Sequence, residues 1–133
     1  MYVDAQLLFS DEQVICDAAS ELSTNIVDLG VARNIAKGKQ LYVVIIVDTS
    51  FAGPTSIDFR LMTHITSTVS SGSVMVATGP ITPDVLTANR APIVLPVGDA
   101  LNTAKQYIGM YYVLVGSVAS AGKVTAFLAV DAP

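Results

Sequence analysis

Two long runs of apolar residues dominate the pattern of this chain: residues 41–47 (LYVVIIV) and residues 107–115 (YIGMYYVLV). Both runs are short and rich in β-branched or aromatic residues, so they predict β-strands rather than helices. Unbroken apolar runs are typical of strands that are covered on both faces. We therefore expect two central strands that lie side by side, with a packed layer or a subunit contact on each face.

Other segments alternate between apolar and polar residues. In residues 57–62 (IDFRLM) the charged Asp58 and Arg60 alternate with large apolar residues, which predicts a half-exposed antiparallel strand. Further strands are predicted at residues 13–18, 25–30, 73–78, 93–97 and 123–130. The pattern gives about eight short strands and no helix of three turns. It therefore predicts an all-β fold, an antiparallel β-sandwich that is jelly-roll-like.

A length of 133 residues corresponds to one domain, and we expect residues 1–133 to form a single β-sandwich. Residues 1–12 are interpreted as an N-terminal arm, although residues 1–9 also fit an edge strand. As an arm, residues 1–9 would have few partners in the sandwich. Their deletion should then weaken attachment to a partner more than folding. The chain has no tryptophan and a single cysteine, which argues against an immunoglobulin-type sandwich.

The composition is apolar for a monomeric domain, with 52% hydrophobic residues, 14% charged residues and a mean hydropathy of +0.58. No apolar run approaches the ~18 residues that a membrane-spanning helix needs. The apolar surplus is therefore expected at protein–protein contacts. A net charge of −4 argues against nucleic acid as a direct partner. The start of the chain has no basic region, so no signal peptide is predicted.

Few residues are candidates for catalysis or for binding a metal or a sugar. His64 is the only histidine, so a metal site with several histidines is excluded. Cys16 has no basic neighbour in sequence that would lower its pKa, and a buried structural role is favoured. Glycosidases use a pair of carboxylates, and the candidates for such a pair are Asp28, Asp48 and Asp58. The distances between them cannot be read from the sequence. Tyrosines at positions 107, 111 and 112 could form a platform for sugars. We predict no catalytic, cofactor-binding or metal-binding residues, and no enzyme activity.

Ordered phrases along nearly the whole chain carry a family resemblance. They lie at residues 1–5, 10–13, 23–25, 28–30, 41–44, 93–96, 106–109 and 121–128. In their order and spacing the chain resembles the short capsid cement, or decoration, proteins of tailed bacteriophages. The segment between residues 49 and 89 matches this pattern least.

This resemblance implies a jelly-roll domain on the outer surface of the phage capsid. There it would bridge neighbouring major capsid protein subunits as a homo-oligomer and so stabilise the virion. A dimer is favoured over a trimer because two-fold contacts are the commonest closed interfaces. Two alternatives stay open. One is a ligand- or carbohydrate-binding sandwich, such as a receptor-binding head, and the other is a small hydrolase that uses His64.

Overall fold

Two antiparallel sheets packed face to face make up the protein. The computed structural model describes residues 8–15, 20–28, 41–97 and 105–129. Within them lie nine strands and no α-helix, which confirms the predicted all-β, antiparallel sandwich. The strands are β1 (Leu8–Val14), β2 (Ser20–Leu22), β3 (Val27–Asp28), β4 (Tyr42–Ala52), β5 (Ser56–His64), β6 (Ser73–Ala77), β7 (Ile93–Pro96), β8 (Tyr107–Val115) and β9 (Ala121–Ala129).

The strand order is that of a jelly roll. Sheet A has the order β1-β9-β4-β7, and sheet B has the order β2-β8-β5-β6 with β3 also paired to β8. The pairs are nested, since β1 pairs with β9, β2 with β8, β4 with β7 and β5 with β6. Such nesting defines the double Greek key of jelly-roll sandwiches. It makes the two ends of the described chain neighbours in sheet A.

The core fills the space between the sheets with the inward faces of both. Alternation along β5 turns Ile57, Phe59 and Leu61 inward, and all three are fully buried. The ring of Phe59 makes edge-to-face contacts with Phe51, at a centroid distance of 6.4 Å, and with Tyr112, at 5.7 Å. Aromatic pairs in this arrangement add to the stabilisation from apolar burial.

The two central strands are confirmed, but their predicted pairing is wrong. β4 is an inner strand of sheet A, whereas β8 is an inner strand of sheet B, so they lie in opposite sheets. The prediction that β4 is covered on both faces is confirmed. Ile45 belongs to the main core, while Val44 is equally buried in a second apolar cluster with Phe127 and Ala129.

Strand β5 is less exposed than its alternation predicted. Its outward-facing residues Asp58 and Met62 are only 8% and 4% exposed. A 3₁₀ turn at Val69–Ser71, in a segment of mostly polar residues, buries Val69 completely. This packing requires Gly109, because a Cβ there would lie 3.2 Å from Val69 and 2.5 Å from Ile26.

Several predicted boundaries also shift. The strand placed at residues 13–18 begins earlier, as β1, so residues 8–12 of the expected arm are paired with β9. Residues 1–7 and 16–19 lie outside the described residues. β4 extends to Ala52, beyond the apolar run of residues 41–47, and the short strand β2 was not predicted. The strands predicted at residues 73–78, 93–97, 107–115 and 123–130 are confirmed with small changes at their ends.

A buried polar network joins β1 to the opposite sheet. The Ser10 hydroxyl donates to Oε1 of Gln13 at 2.6 Å, so the Tyr112 hydroxyl, also 2.6 Å away, donates to Ser10. The Gln13 amide then donates to the Leu22 carbonyl oxygen and accepts from the Thr24 backbone amide. Burial raises the pKa of the Tyr112 hydroxyl well above its ordinary value near 10, while the bond to Ser10 opposes that rise.

Replacing Tyr112 with Phe is expected to lower the free energy of unfolding by about 1 kcal/mol at neutral pH, because Ser10 loses a buried partner. The substitution should also change how the free energy of unfolding depends on pH in alkaline solution. The unfolded chain releases the tyrosine proton near pH 10, but the folded protein keeps it. The stabilisation is therefore complete below about pH 10 and is lost as the pH rises further.

Urea unfolding at about pH 7 and across about pH 9–11 checks this prediction. Tyr112→Phe should reduce the loss of stability above about pH 10. Tyr111→Phe, which removes a hydroxyl from the outer face of sheet B, is the matched control. An equal change of the alkaline slope in both variants would show that burial of Tyr112 is not the cause.

Candidate functional site

His64 ends strand β5 and does not join a catalytic set in the described residues. Its Nδ1 accepts a hydrogen bond from the backbone amide of Thr66 at 3.0 Å and lies 2.9 Å from the Thr66 hydroxyl. The ring is thus held by the turn that follows its own strand. A general base of the serine-hydrolase type would instead be oriented by a carboxylate, and no such contact is seen here among the described residues. Cys16 lies outside them.

The three aspartates do not form a carboxylate pair. Asp48 lies in sheet A and accepts a 2.6 Å hydrogen bond from the Thr125 hydroxyl on the neighbouring strand. Asp28 and Asp58 lie in sheet B opposite Tyr107 and Val113, six residues apart along β8. That spacing corresponds to about 20 Å. Glycosidase carboxylates lie within about 10 Å of each other, so this arrangement does not support glycoside hydrolysis.

The tyrosines do not share a face. Tyr112 points into the core and is fully buried, whereas Tyr107 and Tyr111 are half-buried on the outer face of sheet B. Alternation along β8 makes this separation unavoidable. The three tyrosines therefore cannot form a single sugar-binding platform.

Among the described residues, no three His, Cys, Asp or Glu side chains come together as a metal ion would require. Within the same part of the chain, no helix has the length and apolar character needed to cross a bilayer.

The feature best suited to recognition is the outer face of sheet B, and we call Leu22, Arg60, Tyr111, Val113 and Val115 its outer strip. Leu22 and Arg60 flank Tyr111 on the two neighbouring strands, which places all three in one row across the sheet. Leu22, Tyr111 and Val113 are half-buried, and Val115 is 52% exposed.

An ion pair joins Arg60 of this strip to Asp58 on the same strand. The Arg60 Nε atom donates to Oδ2 of Asp58 at 2.8 Å, and the Arg60 side chain is 36% exposed. The other oxygen of Asp58, Oδ1, is buried without a hydrogen-bond partner among the described residues. A tyrosine and an arginine amid apolar side chains resemble the residues that dominate protein–protein interfaces. The strip therefore has the composition of a protein-binding surface.

The fold and this surface define an all-β jelly-roll domain with a candidate protein-binding face. Jelly rolls of this kind occur in viral capsid proteins, lectins and cupins. The chain belongs to the Bbp16 family, a phage-related family whose model matches residues 9–128. No curated protein matches the chain.

Proposed function

We propose that this protein is a structural virion protein, a capsid cement or decoration protein. It binds the outer surface of a phage head and bridges neighbouring major capsid protein subunits. It acts as a homo-oligomer, with a dimer favoured over a trimer, and it needs no cofactor, membrane or nucleic acid. Its role is to stabilise the shell rather than to catalyse a reaction.

Membership of a phage-related family over residues 9–128 is the observation that carries this proposal. The sequence resemblance to short cement proteins, which spans nearly the whole chain, points the same way. The jelly-roll sandwich adds a rigid body, because its nested strand pairs tie β1 to β9 and β2 to β8. A rigid binder loses little conformational entropy when it attaches to a shell.

The outer strip of sheet B supplies a surface for such binding. Tyr111 and Arg60 belong to the residue types that most often dominate binding energy at interfaces. Val113 and Val115 extend the strip with apolar area that gains free energy when a partner covers it. The exposed Val115 at the end of β8 is consistent with the apolar surplus of the whole chain.

Cementing follows from mass action. A protein that binds the assembled shell but not free subunits stabilises the shell by about RT ln(1 + [L]/Kd) per site. A homo-oligomer that contacts two or more capsid subunits also gains avidity, because its second contact is intramolecular. Both effects resist the separation of neighbouring subunits.

The test compares particles with and without this chain. We expect binding to saturate at a fixed, high copy number per shell, as measured by quantitative mass spectrometry of purified particles. Particles that lack the chain should rupture at a lower temperature and under milder osmotic shock, because the bridging contribution is missing. Unchanged thermal and osmotic resistance, or only a few copies per particle, would contradict the proposal.

A pair of matched variants tests the binding surface in the same assay. Val115→Lys places a charge on the outer strip, and Val85→Lys places one outside the strip at a position of similar exposure, with Val85 47% exposed and Val115 52% exposed. Exposed substitutions usually change stability by no more than about 0.5 kcal/mol, so both variants should fold. Val115→Lys should weaken attachment and Val85→Lys should not. If both variants bind capsids equally well, the outer strip is not part of the surface that contacts the capsid.

A further inference from the structure

A pocket lies at one end of sheet B, where strand β5 finishes. Its volume is about 290 Å³, and its lining includes His64, Ser71, Ser73 and Lys105. Ser71 ends the 3₁₀ turn before β6, Ser73 is the first residue of β6, and Lys105 precedes β8. Since β6 and β8 flank β5 in the sheet, the pocket forms where three neighbouring strands meet.

Close contacts on both sides of β5 hold this pocket in shape without a ligand. The buried hydroxyl of Thr63 donates to the Tyr107 carbonyl oxygen at 3.0 Å and accepts from the Lys105 backbone amide at 2.8 Å. On the other side of β5, Gly72 lies so close that a Cβ there would be 1.9 Å from the Thr63 carbonyl oxygen. Lys105 and the two serines are therefore held against the end of β5.

Four of the lining side chains can donate hydrogen bonds. The Nδ1 atom of His64 accepts from the backbone amide of Thr66, which assigns the ring proton of the neutral imidazole to Nε2. Lys105 carries an ammonium group that can only donate, and the hydroxyls of Ser71 and Ser73 can donate as well.

Among the described residues, none of those that line the pocket carries a carboxylate. Asp28 also lies at this end of the sheet, but it is on β3, which is two strands away from β5. Gln106 donates a hydrogen bond to it at 3.2 Å. A positive group and several neutral donors without a facing acid favour an anion.

We propose that this pocket binds a carboxylate carried on a peptide side chain, such as a glutamate of a partner protein. The carboxylate oxygens would meet the donors of His64, Ser71, Ser73 and Lys105. Ile65 also lines the pocket and is 65% exposed, so it offers an apolar contact to the methylene groups of such a side chain. A free inorganic anion has no group that could use this contact. The proposal concerns the isolated protein and does not depend on the cementing role.

The experiment is an NMR titration of the ¹⁵N-labelled full-length protein with three probes. They are a short peptide with blocked ends and one glutamate, the same peptide with glutamine in its place, and inorganic phosphate. The glutamate peptide should shift the amide signals of residues 64–65 and 71–73 saturably, and the glutamine peptide should not. Lys105→Gln should weaken this binding by about fivefold, the upper end for a solvent-exposed ion pair.

Lys123→Gln is the matched control. Lys123 is an exposed lysine on β9 outside the pocket, so its substitution changes net charge equally and should leave the affinity unchanged. The proposal is overturned if the glutamate peptide gives no saturable shift, or if Lys123→Gln weakens binding as much as Lys105→Gln. Binding of phosphate without binding of the glutamate peptide would overturn the assignment to a side-chain carboxylate.

Discussion

Replacing Ile45 with Asp will prevent folding. Ile45 is fully buried in the main core and lies between Ile93 on β7 and Ala126 on β9. A carboxylate there would be removed from water without a partner, which costs several kcal/mol. The total stability of a domain is only about 5–15 kcal/mol, and the lost apolar burial adds to the cost.

Circular dichroism and thermal melting of the purified variant check this prediction. Ile45→Asp should be insoluble or should lack a cooperative transition, whereas Ile45→Val should melt cooperatively with a loss of about 1 kcal/mol. A soluble Ile45→Asp variant with a sharp melting transition would mean that the assignment of Ile45 to the core is wrong.

Replacing Phe9 with Ala will destabilise the whole domain by about 3–5 kcal/mol, since Phe9 is fully buried in the main core. Its backbone carbonyl also accepts a 2.9 Å hydrogen bond from the amide of Asn25, which ties β1 to the chain before β3. This burial contradicts the premise that residues 1–9 have few partners. Deleting them should therefore impair folding, and reduced attachment would follow from that alone.

Chemical denaturation of three variants separates folding from attachment. Phe9→Ala and a deletion of residues 1–9 should both lower the denaturation midpoint strongly, and Phe9→Leu, which keeps most of the apolar volume, should lower it less. A deletion of residues 1–7 leaves Phe9 in place and is the suitable variant for measuring attachment to capsids. A midpoint for Phe9→Ala equal to that of the intact protein would refute the role assigned to β1.

The outer strip and the pocket could not be found by reading along the chain. The row of Leu22, Tyr111 and Arg60 forms only because β2 and β5 both pair with β8. The pocket depends on Thr63 and Lys105, which are 42 residues apart and joined by one hydrogen bond. Neither feature has a local motif, because each consists of donors and apolar groups that are common on any surface.

One local sequence motif is present but lies in a different secondary structure from the one it usually marks. Ser10 and Gln13 have the spacing of a helix capping box, and their side chains do bond to each other. They do so within a bulged β-strand, where Glu12 takes a φ of +47°. The pairing of β1 with β9 and the buried hydroxyl of Tyr112 decide that outcome, and both partners lie more than 100 residues away in the sequence.

The sequence by itself determined the all-β class, the central positions of β4 and β8, and the inward face of β5. These follow from local periodicity and from unbroken apolar runs, which report whether a residue faces water. Only the tertiary structure decided that β4 and β8 lie in opposite sheets, that Asp58 is buried, and that the described chain closes by pairing its first strand with its last. Those features depend on which strands become neighbours, and strand pairing is a contact between distant segments that hydrophobic alternation does not encode.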